Sequence, residues 1–155
     1  MKLSSEQIQT ALFKASTVVF EQIAFMEVQN IEKIMQLPEF RGNCFYSKIS
    51  IMEPFNGELG LMIDAYTFEA LLHNVEEVDL KTTNIHLYLD YINEYLNTIA
   101  GNFMEFLLSD EQPYQIGLPE ASINPDIYKT KACCKEYYAV TIENKNIYFI
   151  FLPDE

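Results

Sequence analysis

The feature that most constrains the fold of this chain is a long amphipathic segment, residues 85–107, in which apolar residues recur every three or four positions. At about 100° per residue, this segment has one broad apolar face, as on a helix that packs against a core. The apolar positions are Ile85, Tyr88, Leu89, Ile92, Leu96, Ile99, Phe103, Phe106 and Leu107. Thr82, Thr83 or Asn84 stands where an N-cap is expected. The sequence therefore predicts a long helix with one buried face.

The opposite face of the predicted helix carries a defined polar group. Asp90, Glu94, Asn97 and Gly101 project together, so a carboxylate and a carboxamide lie one turn apart beside a glycine. The spacing Glu-x-x-Asn is weak evidence alone, because any solvated helix face carries such residues. It also occurs at Glu27/Asn30, Glu53/Asn56 and Glu143/Asn146. Only the pair Glu94/Asn97 has three further features. An acid lies four residues before the Glu, Ala-Gly begins three residues after the Asn, and a proline, Pro119, lies 22 residues after the Asn.

This longer string resembles the signature of the CheC/CheX family of chemotaxis phosphatases, and of its single-motif CheX-like domains in particular. A weaker likeness extends to Asn56-Gly57-Glu58-Leu59-Gly60, and the order of elements covers most of the chain. Leu96 stands where the family often has a small residue, and its position predicts that it points inward. Members of this family remove phosphate from the aspartyl-phosphate of response-regulator receiver domains such as CheY. The resemblance implies a role in chemotaxis or two-component signalling, with a phosphorylated CheY-like receiver as partner.

The resemblance also implies a role for each residue of the string. Asn97 would orient the attacking water, since a carboxamide both donates and accepts hydrogen bonds. Glu94 would pair with a lysine of the receiver, and Asp90, Gly101 and Pro119 would support the binding face. No cofactor is expected in this chain, because the Mg²⁺ of the reaction belongs to the receiver.

Two further expectations accompany this interpretation. The CheX branch suggests a homodimer that pairs through sheet edges. The alternative function is a non-catalytic module that binds a receiver or a flagellar-switch protein. It would keep the fold and the acidic face without the geometry that positions water.

Composition narrows the classes of protein to which this chain can belong. A chain of 155 residues with 49% hydrophobic residues predicts a single domain, residues 1–155, with a substantial core. A net charge of −13 argues against binding to nucleic acid or to an anionic membrane. The longest apolar run, Ile147–Leu152, is too short to cross a membrane. The N-terminus lacks the layout of a secretory signal, and the three cysteines lack metal-site spacing, so a cytoplasmic protein is predicted.

The rest of the chain predicts an α+β domain with a mostly antiparallel sheet and the long helices packed on one face. A first helix is expected from a cap at Ser4 or Ser5 to about Met26, with Glu27, Asn30 and Glu32 near its end. The other predicted elements are strands at Phe45–Met52, Glu58–Asp64 and Tyr114–Leu118, a short helix at Tyr66–Val75, an acidic linker at Glu76–Lys81, and a final hairpin of Lys131–Glu143 and Asn146–Leu152.

Overall fold

A computed structural model describes residues 2–40, 42–73, 84–128 and 135–153. These residues form three α-helices, a short 3₁₀ turn and a seven-stranded sheet. In chain order the elements are α1 (Ser5–Ile23), β1 (Val28–Ile34), β2 (Cys44–Glu53), β3 (Gly57–Asp64), α2 (Ala65–His73), α3 (Ile85–Leu107), β4 (Gln115–Ile116), β5 (Glu120–Ser122), the 3₁₀ turn (Pro125–Tyr128), β6 (Glu136–Ile142) and β7 (Lys145–Pro153).

The sheet is antiparallel at every described pairing, in the order β1-β6-β7-β3-β2-β4, and β5 also pairs with β2. Residues that alternate along the strands point to the main core, which the apolar sides of the three helices complete. Rings from different elements meet in this core: Phe45 of β2 stacks on Tyr88 of α3, and both contact Phe68 of α2. The predicted α+β class, with long helices on one face, is confirmed.

The first helix begins as predicted but ends early. Ser4 is the N-cap and forms a reciprocal capping box with Gln7. The helix stops at Ile23, because Phe25 adopts a left-handed conformation (φ 55°) and the Met26 N–H returns to the Phe20 carbonyl at 3.1 Å. Ile23, the last residue of the helix, is 39% exposed.

The segment after this turn corrects the prediction for residues 27–34. Glu27, Asn30 and Glu32 do not lie at a helix end; Glu27 precedes β1, and the other two are exposed residues of β1 itself. The strand was missed because its alternation is short and mostly polar. It pairs with β6 at the sheet edge, where only one side needs to be buried.

The outer face of the sheet, opposite the helices, is also apolar and is covered by the chain itself. Met62, Tyr148 and Ile150 are buried there. Leu37 packs over them, and the ring of Phe40 contacts that of Tyr148 at 5.7 Å between centroids. The loop between β1 and β2 therefore closes a second, smaller core.

Two turns illustrate how the hairpins are fixed. The β6–β7 turn consists of Glu143 and Asn144, both with positive φ, as a tight two-residue hairpin requires; the sequence had placed it one residue later. Gly57, the first residue of β3, has no positive φ. A Cβ there would lie 2.9 Å from the Leu152 carbonyl, so close strand pairing explains this glycine.

Other predictions hold or fall outside the described residues. The strands at 45–52 and 58–64 and the short helix are present within one or two residues, as is the final hairpin from Glu136 onward. Strand β5 was not predicted. The linker Glu76–Lys81, Val75 and residues 131–134 lie outside the described residues. No helix of the described chain is long and apolar enough to cross a membrane.

Candidate functional site

The candidate site is built on α3, whose buried face fixes the rotation of the helix. Asn84 is the N-cap and accepts a 3.0 Å hydrogen bond from the His86 N–H. The buried positions extend over most of the helix, and they are Tyr88, Ile92, Tyr95, Leu96, Ile99, Ala100, Phe103 and Met104. Leu96 is 0% exposed, as predicted, and the helix stays regular around it. The Leu96 side chain packs in the main core.

The predicted apolar face of α3 is wrong at its two ends. Ile85 and Phe106 are 42% and 44% exposed, because the first and last turns reach the margins of the core. The Phe106 ring is partly covered by Lys14 of α1, whose ammonium lies 5.9 Å from its centroid. Tyr95, Ala100 and Met104, which the sequence analysis left out of that face, are buried instead.

The outward face of α3, defined by Asp90, Glu94, Asn97 and Gly101, carries the predicted site residues. The first three side chains are exposed, and Gly101 is partly exposed. Within the described part of the chain, none of the three exposed side chains has a hydrogen bond or an ion pair. Their carboxylates and carboxamide are therefore available to a partner.

A second segment, residues 114–122, runs beside this face; we call it the β4–β5 strip. Two contacts fix its level along α3. The Ser47 hydroxyl of β2 donates a 2.7 Å hydrogen bond to the Asn93 side chain, and Ser47 pairs in register with Ala121 of the strip. Two helical turns later, a Cβ on Gly101 would lie 3.9 Å from the Tyr114 hydroxyl.

These two contacts lie on either side of Asn97 along the helix. Asn93 and Gly101 are about 12 Å apart along the helix axis, at 1.5 Å per residue, and Asn97 lies midway. The strip that carries Pro119 therefore runs beside the part of α3 that carries Asn97.

The charge of this surface is negative. Helix α3 has no lysine or arginine and carries Asp90, Glu94 and Glu105, all exposed. Among the residues that the structure describes, no three His, Cys, Asp or Glu side chains are grouped to hold a metal ion. The surface is suited to a cationic side chain of a partner.

The Asn93–Ser47 contact was missed in the sequence, although a signal was present. Ser47 is an inward position of β2 between the apolar inward residues Phe45 and Ile49, where a hydroxyl needs a buried hydrogen-bond partner. Asn93, at the border of the polar face of α3, supplies one.

The sequence matches no protein-family model and no curated protein. The structure, in contrast, has clear counterparts. A CheC-like superfamily protein from Shewanella sp. PV-4 superposes with a TM-score of 0.74 at 11% identity, over 100% of both chains. The chain has the fold of the CheC/CheX chemotaxis proteins.

Two other solved structures also share this fold. The CheX in a CheX–CheY–BeF₃–Mg²⁺ complex from Borrelia burgdorferi superposes with a TM-score of 0.64 at 16% identity, over 93% of this chain and 95% of that one. The FliM middle domain from H. pylori superposes with a TM-score of 0.64 at 12% identity, over 97% of this chain and 94% of that one. At these identities the likeness is one of fold.

Proposed function

We propose that this protein is a CheX-like phosphatase that hydrolyses the aspartyl-phosphate of a response-regulator receiver domain in chemotaxis or two-component signalling. The observation that carries the proposal is the pairing of Glu94 and Asn97, exposed and without partners among the described residues, on the rigid helix α3. The complex of a CheX with CheY, BeF₃ and Mg²⁺ supports a CheY-like partner for this fold.

In this proposal Asn97 acts by placing water. Its carboxamide accepts a hydrogen bond from the water and directs it in line with the phosphorus and the aspartyl oxygen. The water oxygen bonds to phosphorus as the bond between phosphorus and the aspartyl oxygen breaks, which yields inorganic phosphate and a free carboxylate. The receiver's Mg²⁺ neutralises charge on the phosphoryl oxygens, so this chain needs no nucleophile or metal of its own.

Glu94 fixes the position of the receiver. It lies one turn before Asn97 on the same face, so a receiver lysine bound to its carboxylate would set the register of docking. Asp90 adds a second carboxylate one turn earlier. Gly101 leaves room one turn after Asn97, since it has no side chain, and Pro119 would support the binding face from the neighbouring strip.

The test is phosphate release from a phosphorylated CheY-like receiver, with two double variants compared. Glu94→Ala with Asn97→Ala should abolish the acceleration that the parent protein gives. Glu27→Ala with Asn30→Ala removes the same pair of residue types at the same spacing, but from the exposed β1 region at the other edge of the sheet. It should leave the rate unchanged, and equal rates for both variants would refute the proposal.

A second function is favoured by the likeness to the FliM middle domain. In that case the protein would be a non-catalytic module that binds a receiver or a flagellar-switch protein through the same acidic face. Tight binding to a receiver with no increase in phosphate release would establish this function instead.

We also propose a homodimer formed through sheet edges in a cytoplasmic protein. Strand β1 is a terminal strand of the sheet, with only β6 as a described partner, so its outer edge can pair with a second copy. Sedimentation equilibrium would test this, and a monomer at high concentration would contradict it.

A further inference from the structure

The carboxamide of Asn93 on α3 is used inside the protein at one end only. Its oxygen accepts the 2.7 Å hydrogen bond from the Ser47 hydroxyl. Its nitrogen has no hydrogen-bond partner among the described residues and is not buried. Because oxygen and nitrogen belong to one planar group, the bond to Ser47 also fixes the direction of the two N–H donors. Asn93 therefore offers donors in a set orientation at the surface.

Asn93 is also a neighbour of the candidate catalytic residue Asn97. Residues four apart on a helix lie about 40° apart around the axis, with Cβ atoms about 5–6 Å from each other. Both residues lie within α3, and Asn97 is exposed while Asn93 is partly buried at the border of the outward face. A receiver that brings its phosphoryl group to Asn97 therefore comes within one helical turn of the Asn93 donors.

Unused donors are scarce on this part of the helix. The Thr98 hydroxyl donates to the Glu94 carbonyl at 3.0 Å, and the Asn102 amide donates to the Thr98 carbonyl at 2.9 Å. Helix α3 has no lysine or arginine. Of these three asparagines, Asn93 and Asn97 are the two whose amide nitrogens have no partner among the described residues. An anionic phosphoryl group beside the carboxylates of this face is repelled unless such donors meet it.

We propose that Asn93 is a receiver-binding residue, whose amide donates a hydrogen bond to an acceptor oxygen at the phosphorylation site of the receiver. This inference rests on the proposed function and adds to it a second donor beside Asn97, which acts on the water. Phosphoryl oxygens and main-chain carbonyl oxygens of the receiver share the required acceptor chemistry. Because Ser47 holds the carboxamide before the receiver binds, little orientational freedom is lost on binding.

The test compares Asn93→Asp with Asn102→Asp in titrations of a CheY-like receiver loaded with BeF₃ and Mg²⁺. The first change keeps an oxygen that accepts the Ser47 hydrogen bond but removes both N–H donors. The second adds the same charge to the same helix, where the amide already donates to Thr98. The Kd should rise about tenfold for Asn93→Asp and by less than about twofold for Asn102→Asp. The rise should persist at high salt, because screening weakens charge repulsion but does not replace a donor.

The same titrations with the unloaded receiver identify the acceptor. A rise in Kd confined to the BeF₃-loaded receiver assigns the bond to the phosphoryl group, whose place BeF₃ takes. An equal rise with both forms assigns it to a carbonyl oxygen of the receiver. Asn93→Ala removes the donors without adding charge, so its Kd should rise by a similar factor, and it replaces Asn93→Asp if that variant does not fold.

Three results would overturn the inference. They are an unchanged Kd for Asn93→Asp, an equal rise for Asn102→Asp, and a rise that disappears at high salt. Failure of the phosphatase proposal is seen separately, as a parent protein that binds the receiver without accelerating phosphate release, and the Kd values then still decide the contact. A parent that does not bind the loaded receiver would overturn the contact together with the proposed partner.

Discussion

The hydroxyl of Ser47 in β2 donates a 2.7 Å hydrogen bond to the side-chain oxygen of Asn93 on α3. Ser47 is fully buried and Asn93 is partly buried, so this bond joins the sheet to the helix with little access for water. Asn93 immediately precedes Glu94 in the chain. The bond therefore helps to set the rotation at which the outward face of α3 meets a partner.

Loss of this bond should weaken the fold. Ser47→Ala leaves the Asn93 oxygen without this donor in a partly buried position, and we expect a loss of about 1–3 kcal/mol in the free energy of unfolding. Ser50→Ala, at an exposed position of the same strand, should cost less than about 0.5 kcal/mol. Urea unfolding of both variants measures the difference, and equal stabilities would show that the bond contributes little.

Asn97→Ala should separate activity from folding. The side chain is exposed and has no described partner, so the free energy of unfolding should change by less than about 0.5 kcal/mol. Removal of one positioned polar group should nevertheless lower receiver dephosphorylation by about 10- to 1,000-fold. Phosphate release and thermal unfolding on the same preparation test both statements. A rate like that of the parent would exclude Asn97 from the chemistry.

Glu94→Gln should weaken receiver binding through loss of charge. A glutamine keeps the size and the exposed position but cannot form an ion pair with a lysine. The Kd should rise most at low salt, where screening is weak, and the difference should shrink as salt increases. Titration of the receiver at several ionic strengths checks this. A constant Kd would identify Glu94 as a solvated helix residue.

The stability of the fold should fall in acid through Glu136. Burial raises the pKa of its carboxyl, but hydrogen bonds from Ser5, Tyr138 and Lys33 together outweigh it, so the pKa lies below its ordinary value. A carboxyl with a lowered folded-state pKa stabilises the protein above its unfolded-state pKa of about 4.5. That contribution disappears as the pH falls through the folded-state pKa.

Glu136→Gln measures this contribution. The variant should be less stable than the parent at neutral pH by about 1–2 kcal/mol, because the charge-assisted hydrogen bonds are lost. The gap should narrow as the pH is lowered below 4.5. Urea unfolding from neutral to acidic pH follows both proteins, and a gap that stays constant with pH would contradict the assignment.

The sequence predicted the parts of the fold that have strong periodicity. Helix α3 and strands β2, β3 and β7 each bury a regular series of apolar side chains, and their class and approximate bounds were correct. Strand β1 failed because Gln29, Asn30 and Glu32 are exposed at the sheet edge, where apolar alternation is weak. The end of α1 was predicted wrongly because it depends on the conformation of Phe25. This residue has a left-handed backbone conformation, which aromatic residues seldom adopt.

Only the part of the site that lies on a single helix could be predicted from the sequence. The shared face of Asp90, Glu94 and Asn97 follows from helical spacing, and the structure keeps all three exposed. What stands beside that face depends on pairing between distant strands. The strip lies beside α3 because β5 pairs with β2 and Ser47 of β2 bonds to Asn93, and local sequence patterns carry no information about such long-range register.

The division of α3 into a buried and an exposed face has a consequence for how such a domain can change over time. The residues that hold the helix, such as Leu96 and Phe103, are separate from those that a partner would touch, such as Glu94 and Asn97. Substitutions on the exposed face carry little penalty for folding. A duplicated copy of this domain can therefore acquire a different partner while its interior stays the same, so recognition can diverge among descendants that share one scaffold.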